Sequence, residues 1–401
     1  MKSPFSASVF FRDPETYARQ LAQDEPIRWL RAGRMRFAVV RDPDAIWNVL
    51  VSDADSFRGG QWKQRSRRVV GDALNTLDGE AHRERRRLIG PSFDGGRVTE
   101  RGASIVERAE RMQARWSDGG AIVAREHVQR LSLCAAGDLL FSSDLEAQAH
   151  ELAPALARVA ADLTRRMPPS LVPGRRQALR RARDAVREMV AERLRAPDGH
   201  EDTLSALLGS GMPLPTVRGE VLAMLNAAVD EPPSGLESAW FLLAQAPEAE
   251  RRLHDEVVSS SSLQDRLPYL QAVVKETLRL MPPVRHIHRS PVGSALLLGQ
   301  RVDASENVVV SPVVTHRDPA LHPSPEAFMP ERWLTPEGTG GSIRGTYLPF
   351  GAGPHACIGA ALGRTVISLT LAAVAREWRL RLVDHAADPR RAAVRFRLER
   401  W

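Results

Sequence analysis

The sequence predicts a mainly α-helical protein, formed by a single helix-rich domain over residues 1–401 with a small β-rich region. Residues 97–208 are rich in Ala, Leu, Arg and Glu and place apolar residues at helical spacing. Short alternating or apolar runs, typical of strands, occur near residues 27–40 and 308–310. The hydrophobic fraction of 43% and the charged fraction of 26% are those of an ordinary globular protein.

The first ninety residues contain a sequence of short elements. Residues 1–25 predict an arm and an amphipathic helix, and the runs 27–30 and 36–40 around Gly33 predict a β-hairpin. Asp42-Pro43 then supplies a helix start. The polar and basic segment 59–77 has the composition of a long loop, and loops of that length in compact domains are usually functional or disordered.

A strongly basic helix is predicted over residues 78–88. His82 and Arg86 are four residues apart and therefore lie on one helix face, where they could bind the two carboxylates of an anion. Arg83, Arg85 and Arg87 stand alongside, so a solvated basic helix is the alternative.

The long helical pattern of residues 214–246 is interrupted by Asp230-Glu231-Pro232-Pro233. A proline inside a helix costs roughly 3 kcal/mol and leaves the carbonyl four residues earlier without its donor. The helix should therefore bend open here, or else end and restart. Small Ala227 and Ala228 precede the interruption and leave room for a diatomic ligand.

The second half contains a helix motif followed by an extended segment. Glu276 and Arg279 are three residues apart on one helix face, which ends before Pro282. Residues 285–289 should then be extended, and Val284, His286 and Ile287 are candidates for a pocket wall.

A single cysteine, Cys357, lies in the glycine-rich stretch 350–359, just ahead of an apolar run. Glycines allow the backbone to turn tightly and to approach a flat ligand closely. A helix that starts just after Cys357 would direct its unpaired N–H groups and positive dipole end at the sulfur. Both effects favour the thiolate, which soft metal ions prefer as a ligand. The alternative is a buried, inert cysteine.

This stretch resembles the haem-binding loop of the cytochrome P-450 family. The matching residues are Phe350, Gly353, His355, Cys357 and Gly359, followed by Leu362 and Arg364. His355 departs from the family's usual Arg, and Gly363 from its commoner Ala. The resemblance implies haem b, with the Cys357 thiolate as axial ligand of the iron and with Phe350, Gly351, His355 and Gly359 around the cofactor.

The resemblance also assigns residues elsewhere in the chain. It implies that His82, Arg86 and Arg289 bind the haem propionates, and that Glu276 and Arg279 lock to Arg332. It places Ala227 and Asp230 on the oxygen-binding side, with Glu231 where the family usually has Thr. We expect Asp230 and Glu231 to be catalytic, because a carboxyl group there can act as general acid or base.

The function implied by the resemblance is insertion of an oxygen atom from O2 into a small organic molecule. The segment 167–174 matches the family's substrate lid; its apolar Met167, Leu171 and Val172 suit a terpenoid, lipid or aromatic substrate, although ordinary helix packing explains them as well. Arginines near residue 62 would also permit an acidic substrate. The implied electron donors are a ferredoxin and its reductase. Two alternatives stay open: an atypical haem-thiolate enzyme (peroxide use, ring formation or dealkylation), favoured by Glu231 and Pro232, and a haem protein without turnover.

Composition excludes several other classes. Lys and Arg number 56 against 49 Asp and Glu, a net charge of +7, which reflects arginine-rich composition or a basic docking face. Only 5% of residues are aromatic, and the basic residues do not form a nucleic-acid pattern. With two cysteines and no apolar run of membrane-spanning length, we expect a cytoplasmic monomer that binds neither nucleic acid nor membrane.

Overall fold

The computed structural model describes residues 7–20, 25–164, 174–197, 199–335, 344–384, 388–389 and 392–401. Within these ranges the helices are α1 (Ala7–Arg12), α2 (Pro14–Gln20), α3 (Pro43–Trp47), α4 (Gln61–Val70), α5 (Gly79–Ile89), α6 (Gly95–Glu100), α7 (Gly102–Gln113), α8 (Ala124–Phe141), α9 (Ala149–Thr164), α10 (Arg175–Arg195), α11 (Thr203–Gly209), α12 (Leu214–Ala228), α13 (Glu231–Leu243), α14 (Pro247–Ser259), α15 (Pro268–Leu280), α16 (Pro312–Thr315) and α17 (Ala360–Glu377). The predicted lid, apart from Gly174, lies outside the described residues.

The strands in the same ranges are β1 (Ile27–Ala32), β2 (Met35–Val40), β3 (Phe57–Gly59), β4 (Ala121–Val123), β5 (Ile287–Pro291), β6 (Ser294–Leu297), β7 (Gln300–Asp303), β8 (Asn307–Val310), β9 (Trp378–Leu382) and β10 (Arg395–Arg400). None of the described helices combines the length and the hydropathy of a bilayer span. The prediction of a mainly α protein with a small β region is confirmed.

The chain groups into two compact units. The first contains Met1–Gln64, Asp78–Arg83 and Lys275–Cys357, and the second contains Arg65–Leu77, Glu84–Val274 and Ile358–Trp401. That residues 1–401 form a single domain stays a prediction.

A five-stranded sheet, in the order β1-β2-β8-β5-β3, organises the first unit. The predicted hairpin is confirmed as the antiparallel pair β1–β2, and β2 continues into a parallel pairing with β8. Alternation in β2 places Val40 against one apolar cluster and Val39 against another. Because β8 is buried on both faces, its Val308 to Val310 form a continuous apolar run.

Helix α3 begins where the sequence predicts. The Asp42 side chain accepts a hydrogen bond from the Ala45 N–H at 2.8 Å, and Pro43 opens the first turn. Ile46 of this helix is fully buried against the sheet. The helix therefore anchors the chain that runs on to Leu50, which later meets the cysteine loop.

The prediction of a long loop over residues 59–77 is wrong, because α4 occupies Gln61–Val70. Ser66, Val69 and Val70 are buried and share one face at i, i+3 and i+4 spacing. The arginines between them hide this short apolar face in the sequence pattern.

The second unit is built from helices around α8 and α17. Every residue of α17 from Val366 to Ala375 is buried, and α7, α13 and α14 pack against it. Helix α8 is similarly buried over residues 131–137 and packs against α7, α9, α12 and α13. A three-stranded sheet, β4-β10-β9, completes this unit.

Candidate functional site

The loop that carries Cys357 is closed by its own backbone. The Cys357 N–H donates to the Phe350 carbonyl at 2.8 Å, and Gly351 has φ of +69°. Gly353 has φ of +70°, and a Cβ there would lie 2.0 Å from the backbone oxygen of Leu50. Only glycine fits both that conformation and that approach. The loop is therefore fixed against the first unit immediately before the cysteine.

The structure distinguishes the two cysteines. Cys357 is exposed, which excludes the alternative of an inert packing residue, whereas Cys134 is buried in α8. Burial raises the pKa of Cys134 to about 12. A thiol with that pKa stays protonated near neutral pH, so Cys357 is the cysteine able to serve as a metal ligand.

Helix α17 begins at Ala360, three residues after Cys357, and the predicted helix start is confirmed. Gly359 occupies the N-cap position with φ of −85°. No side chain caps this end of the helix, so its first N–H groups are not satisfied by a capping residue.

A cluster of basic side chains surrounds one carboxylate in the first unit. His82 on α5 is buried, and its ring centroid is 4.0 Å from that of His355. The Lys63 Nζ lies 2.6 Å from Asp78 Oδ1, and the His355 Nε2 lies 3.7 Å from the same oxygen. We call Lys63, His82, Arg289 and His355, with Asp78, the basic cluster.

The members of the basic cluster disfavour one another's charges. The pKa of His355 is lowered to about 3, first by burial and then by Lys63, His82 and Arg289. Burial likewise lowers the pKa of Arg289 and of Lys63, and Asp78 opposes it in each case. An added anion would stabilise the charged forms of Lys63 and Arg289, so the electrostatics favour a negatively charged ligand.

The residues present fit a haem group. Arg289 is half-buried on β5 and donates to the backbone carbonyl of His288 at 3.0 Å, with no carboxylate at ion-pair distance among the described residues. Its guanidinium is therefore suited to a carboxylate that a ligand brings. An exposed thiol and this cation occur in the same unit, as the iron and the propionates of haem require.

The basic residues of helix α5 have different surroundings. His82 is buried against His355, so the alternative of a solvated helix is wrong for this residue. Arg83 is exposed and pairs with Asp55, and Arg85 binds the buried Glu220 in the second unit. Arg86 lies one turn after His82 and is half-buried; its propionate role stays a prediction.

The central helix is broken at the predicted place. Helix α12 ends at Ala228 and α13 begins at Glu231, with Val229 and Asp230 between them. Ala227 is exposed, whereas Asp230 and Glu231 are half-buried. Both alternatives hold in part, because the helix ends and restarts while Val229 and Asp230 keep right-handed backbone angles.

The two carboxyl groups at this break have raised pKa values. Burial, with the nearby charge of Asp230, raises the pKa of Glu231 to about 8. Burial also raises the pKa of Asp230, against the opposing charge of Arg125. Glu231 therefore carries a proton at neutral pH and can donate it.

The predicted lock of Glu276, Arg279 and Arg332 is present. Arg279 and Glu276 are fully buried and joined by two hydrogen bonds of 2.9 Å, and Arg332 Nε reaches Glu276 at 3.0 Å. The Trp333 Nε1 also donates to Glu276, at 2.9 Å. This network belongs to the fold of the first unit and contains no exposed reactive group.

The candidate wall residues separate in the structure. His286 packs against the rings of Phe10 and Phe11, with centroids at 4.7 and 5.3 Å, so it is a packing residue. Ile287 packs on the sheet core, and Val284 is exposed.

The structure brings together some of the predicted site residues. His82, Arg289, Phe350, Gly351, His355 and Cys357 lie in the first unit, and Arg86, Ala227, Asp230, Glu231 and Gly359 in the second. Sequence reasoning missed Lys63 and Asp78 as members of the basic cluster. Their contact spans 15 residues of the chain, and no local sequence signal indicates it.

The fold and the site define a haem-thiolate protein: a helix-rich chain in which an exposed cysteine follows a glycine-closed loop beside a basic cluster. The chain belongs to the cytochrome P450 family, whose sequence model, described as Cytochrome P450, matches residues 9–393. It is an enzyme of the monooxygenase class and uses a haem cofactor.

Individual relatives are similar over most of their length. Cyclooctatin synthase of Streptomyces melanosporofaciens is 32% identical, over 94% of this chain and 87% of that protein. Cyclooctat-9-en-7-ol 5-monooxygenase of the same organism is 31% identical with the same coverage. Pentalenene oxygenase of Streptomyces avermitilis is 27% identical, over 96% of this chain and 90% of the relative.

A solved structure shows the same fold. Retinoic acid-bound cyanobacterial CYP120A1 superposes with a TM-score of 0.85 at 21% identity, over 98% of this chain and 96% of that one.

Proposed function

We propose that this chain is a haem b monooxygenase that oxygenates an apolar terpenoid substrate. The observation that carries the cofactor site is the exposed Cys357 at the end of a loop that only glycine can close. Terpenoid-modifying relatives that match nearly the whole chain support the substrate class. When bound, haem supplies the oxidising chemistry, and the protein contributes binding, orientation and proton supply.

The roles of the cysteine loop and of the basic residues follow from their chemistry. The Cys357 thiolate holds the iron, and the positive end of α17 favours the charged form of the sulfur. His82, Arg289 and His355, with Arg86, bind the propionates. Phe350 accepts the hydrogen bond that fixes the Cys357 backbone, Gly351 allows the chain to turn before it, and Gly359 occupies the N-cap position of α17 after it.

The residues at the helix break leave room for a small ligand and supply a proton. Ala227 presents only a methyl group, which leaves room for a small ligand. The Glu231 Oε holds a proton at neutral pH and donates it during turnover, and Asp230 keeps the pKa of Glu231 high. In Glu231→Ala the product formed per reductant consumed should fall, because the donor is lost. An unchanged ratio of product to reductant in both Glu231→Ala and Glu231→Gln would refute the role of Glu231 as proton donor.

The same break favours a second candidate, a peroxide-driven enzyme of the same family. A carboxyl group at Glu231, where the family commonly has Thr, can take a proton from a peroxide as well as give one. Supplying hydrogen peroxide without electron donors, and separately donors without peroxide, distinguishes the two. Turnover under neither condition would identify a haem protein without catalysis.

The remaining parts of the proposal concern partners. We include a ferredoxin and its reductase as the electron donors, and a monomer as the working state. Two cysteines in 401 residues support a reducing compartment, the cytoplasm.

The experiment that tests the proposal uses the two cysteines as a matched pair. We expect the reduced, carbon monoxide-treated protein to show the red-shifted Soret band of thiolate ligation. Cys357→Ser should abolish that band, while Cys134→Ser, which changes a buried thiol on α8, should leave it intact. A normal band in Cys357→Ser would refute the ligand assignment.

A further inference from the structure

Lys63 and Asp78 form a partly buried ion pair inside the basic cluster, and the cofactor assignments above do not use it. Lys63 Nζ is 2.6 Å from Asp78 Oδ1, and the Lys63 side chain is only 13% exposed. The same carboxylate oxygen accepts the Gly59 N–H at 3.0 Å. Asp78 is thus held by the backbone of β3 and in turn fixes the position of the lysine.

The lysine is held along its whole length. A Cβ on Gly59 would lie 2.0 Å from the Lys63 Cδ and 2.6 Å from its Cγ, so the aliphatic stem runs directly over this glycine. A flexible lysine normally loses considerable rotamer freedom when it is fixed in this way. The position is therefore specified by the fold as well as by charge attraction.

One carboxylate does not balance this cluster. Lys63 and Arg289 carry charge, His82 and His355 lie in ring contact, and Asp78 is the acidic group at ion-pair distance within these described residues. Arg289 is the register partner of Gly59 in the β3–β5 pair, and the Lys63 stem runs directly over Gly59, so the two cations lie in the same part of the cluster. A further carboxylate would therefore meet Lys63 together with Arg289.

We propose that Lys63 is an additional carboxylate-binding residue of the cofactor site, directed at a haem propionate, and that Asp78 is its positioning residue. The inference rests on the proposed function, because it assumes that the basic cluster receives the propionates. An acidic substrate would bring the same chemistry, but measurements on the substrate-free enzyme isolate the carboxylates of the haem.

The test measures two properties of the substrate-free holoenzyme: the rate of haem transfer to apomyoglobin and the reduction potential. Lys63→Met should transfer haem about tenfold faster, because a charge-assisted hydrogen bond is lost. It should also lower the potential, because removal of a cation favours the ferric state. Asp78→Asn should raise the potential, since it removes an anion, and should also accelerate haem transfer because Lys63 is released.

Two further variants serve as controls for these measurements. Arg301→Met removes a cation from an exposed pair with Asp303 in the same unit and should change neither property. Gly59→Ala keeps every charge but displaces the lysine stem, so it should accelerate haem transfer even if Lys63→Met does not fold.

The outcomes distinguish the role of Lys63 from the assignment of the basic cluster as the propionate site. If Lys63→Met and Gly59→Ala both behave like Arg301→Met while Arg289→Ala loses haem, the role of Lys63 is refuted and the propionate site stands. If Arg289→Ala also retains haem normally, the propionate assignment of the basic cluster fails together with the inference. Faster haem transfer in both Lys63→Met and Gly59→Ala, together with a lowered potential in Lys63→Met, would support the proposal, because Gly59→Ala changes the position of the lysine without changing any charge.

Discussion

Truncation of Arg279 to alanine should destabilise the first unit more than any surface change and should leave little haem-loaded protein. All five guanidinium N–H donors of Arg279 are used: two on the Glu276 carboxylate, and three on the carbonyls of His316, Pro325 and Ala327. These bonds measure 2.7–3.0 Å, and the side chain is fully buried. One side chain therefore joins α15 to the segment that leads towards Arg332.

The magnitude follows from what the truncation leaves behind. Glu276 would keep Arg332, Trp333 and the Met329 N–H as donors, but its carboxylate would lose its closest full charge partner in a buried position. Removing one partner of a buried ion pair costs about 3–5 kcal/mol. The three carbonyls add to this, since each loses a charge-assisted donor.

The assay is urea unfolding with haem content measured on the same preparations. Arg83→Ala is the matched control, because Arg83 is an exposed arginine of the same unit whose solvent-screened pairs with Asp55 and Glu80 should contribute little to stability. Unfolding of Arg279→Ala within about 1 kcal/mol of the wild type, with normal haem content, would show that the network does not hold the fold. Although burial acts to raise the pKa of Glu276, the bonds and charge of Arg279 lower it overall. Its stabilising contribution should therefore be present above the ordinary carboxyl pKa and disappear as the pH falls through the lowered value.

Two other predictions follow from the cysteine loop and the helix break. Gly353→Ala should abolish haem loading, because its Cβ would meet the Leu50 carbonyl. The control is Gly299→Ala, which has a similar φ of +77° but open space around it, so it should lose only the modest stability that the backbone angle costs. Equal losses in the haem-to-protein absorbance ratio of the two variants would contradict the close-approach argument. The product formed per reductant should fall as the pH rises through about 8 in the wild type, where Glu231 gives up its proton, and this step should be missing in Glu231→Gln. The folded state should also lose stability as the pH rises from 4.5 to about 8, because the raised pKa of Glu231 means that the native state binds a proton that the unfolded state has released. Urea unfolding at a series of pH values measures this slope, and a slope of the opposite sign would refute the raised pKa.

Much of the fold could be predicted because local signals agree with the tertiary structure. The hairpin, the Asp42 helix start and the apolar run 308–310 each carry a pattern that is also satisfied by burial. The α4 helix could not be predicted in this way. Its buried face consists of Ser66, Val69 and Val70, and it is too short for the 3.6-residue period to stand out among arginines.

The candidate site was only partly predictable for a related reason. Cys357 stands in a recognisable local pattern, so spacing and residue type were sufficient to select it. Lys63 and Asp78 form a contact 15 residues apart, and nothing local distinguishes either from a solvated charge. Sequence patterns identify residues whose neighbours along the chain constrain them, whereas a pair that depends on tertiary contact needs coordinates.

The helix break also shows which of two opposing effects controls Glu231. Two prolines would be costly inside a continuous helix, but Pro232 and Pro233 lie in the first turn of α13, where a missing N–H removes no intrahelical bond. The restart removes that cost and places Glu231 at the positive end of a helix, which favours a carboxylate by about 0.3–1 kcal/mol. One pKa unit corresponds to about 1.4 kcal/mol, so the helix end can lower the pKa of Glu231 by less than one unit. Burial and Asp230 move it the other way, from 4.5 to about 8. Burial therefore dominates, and Glu231 keeps its proton at neutral pH although it lies at the start of a helix.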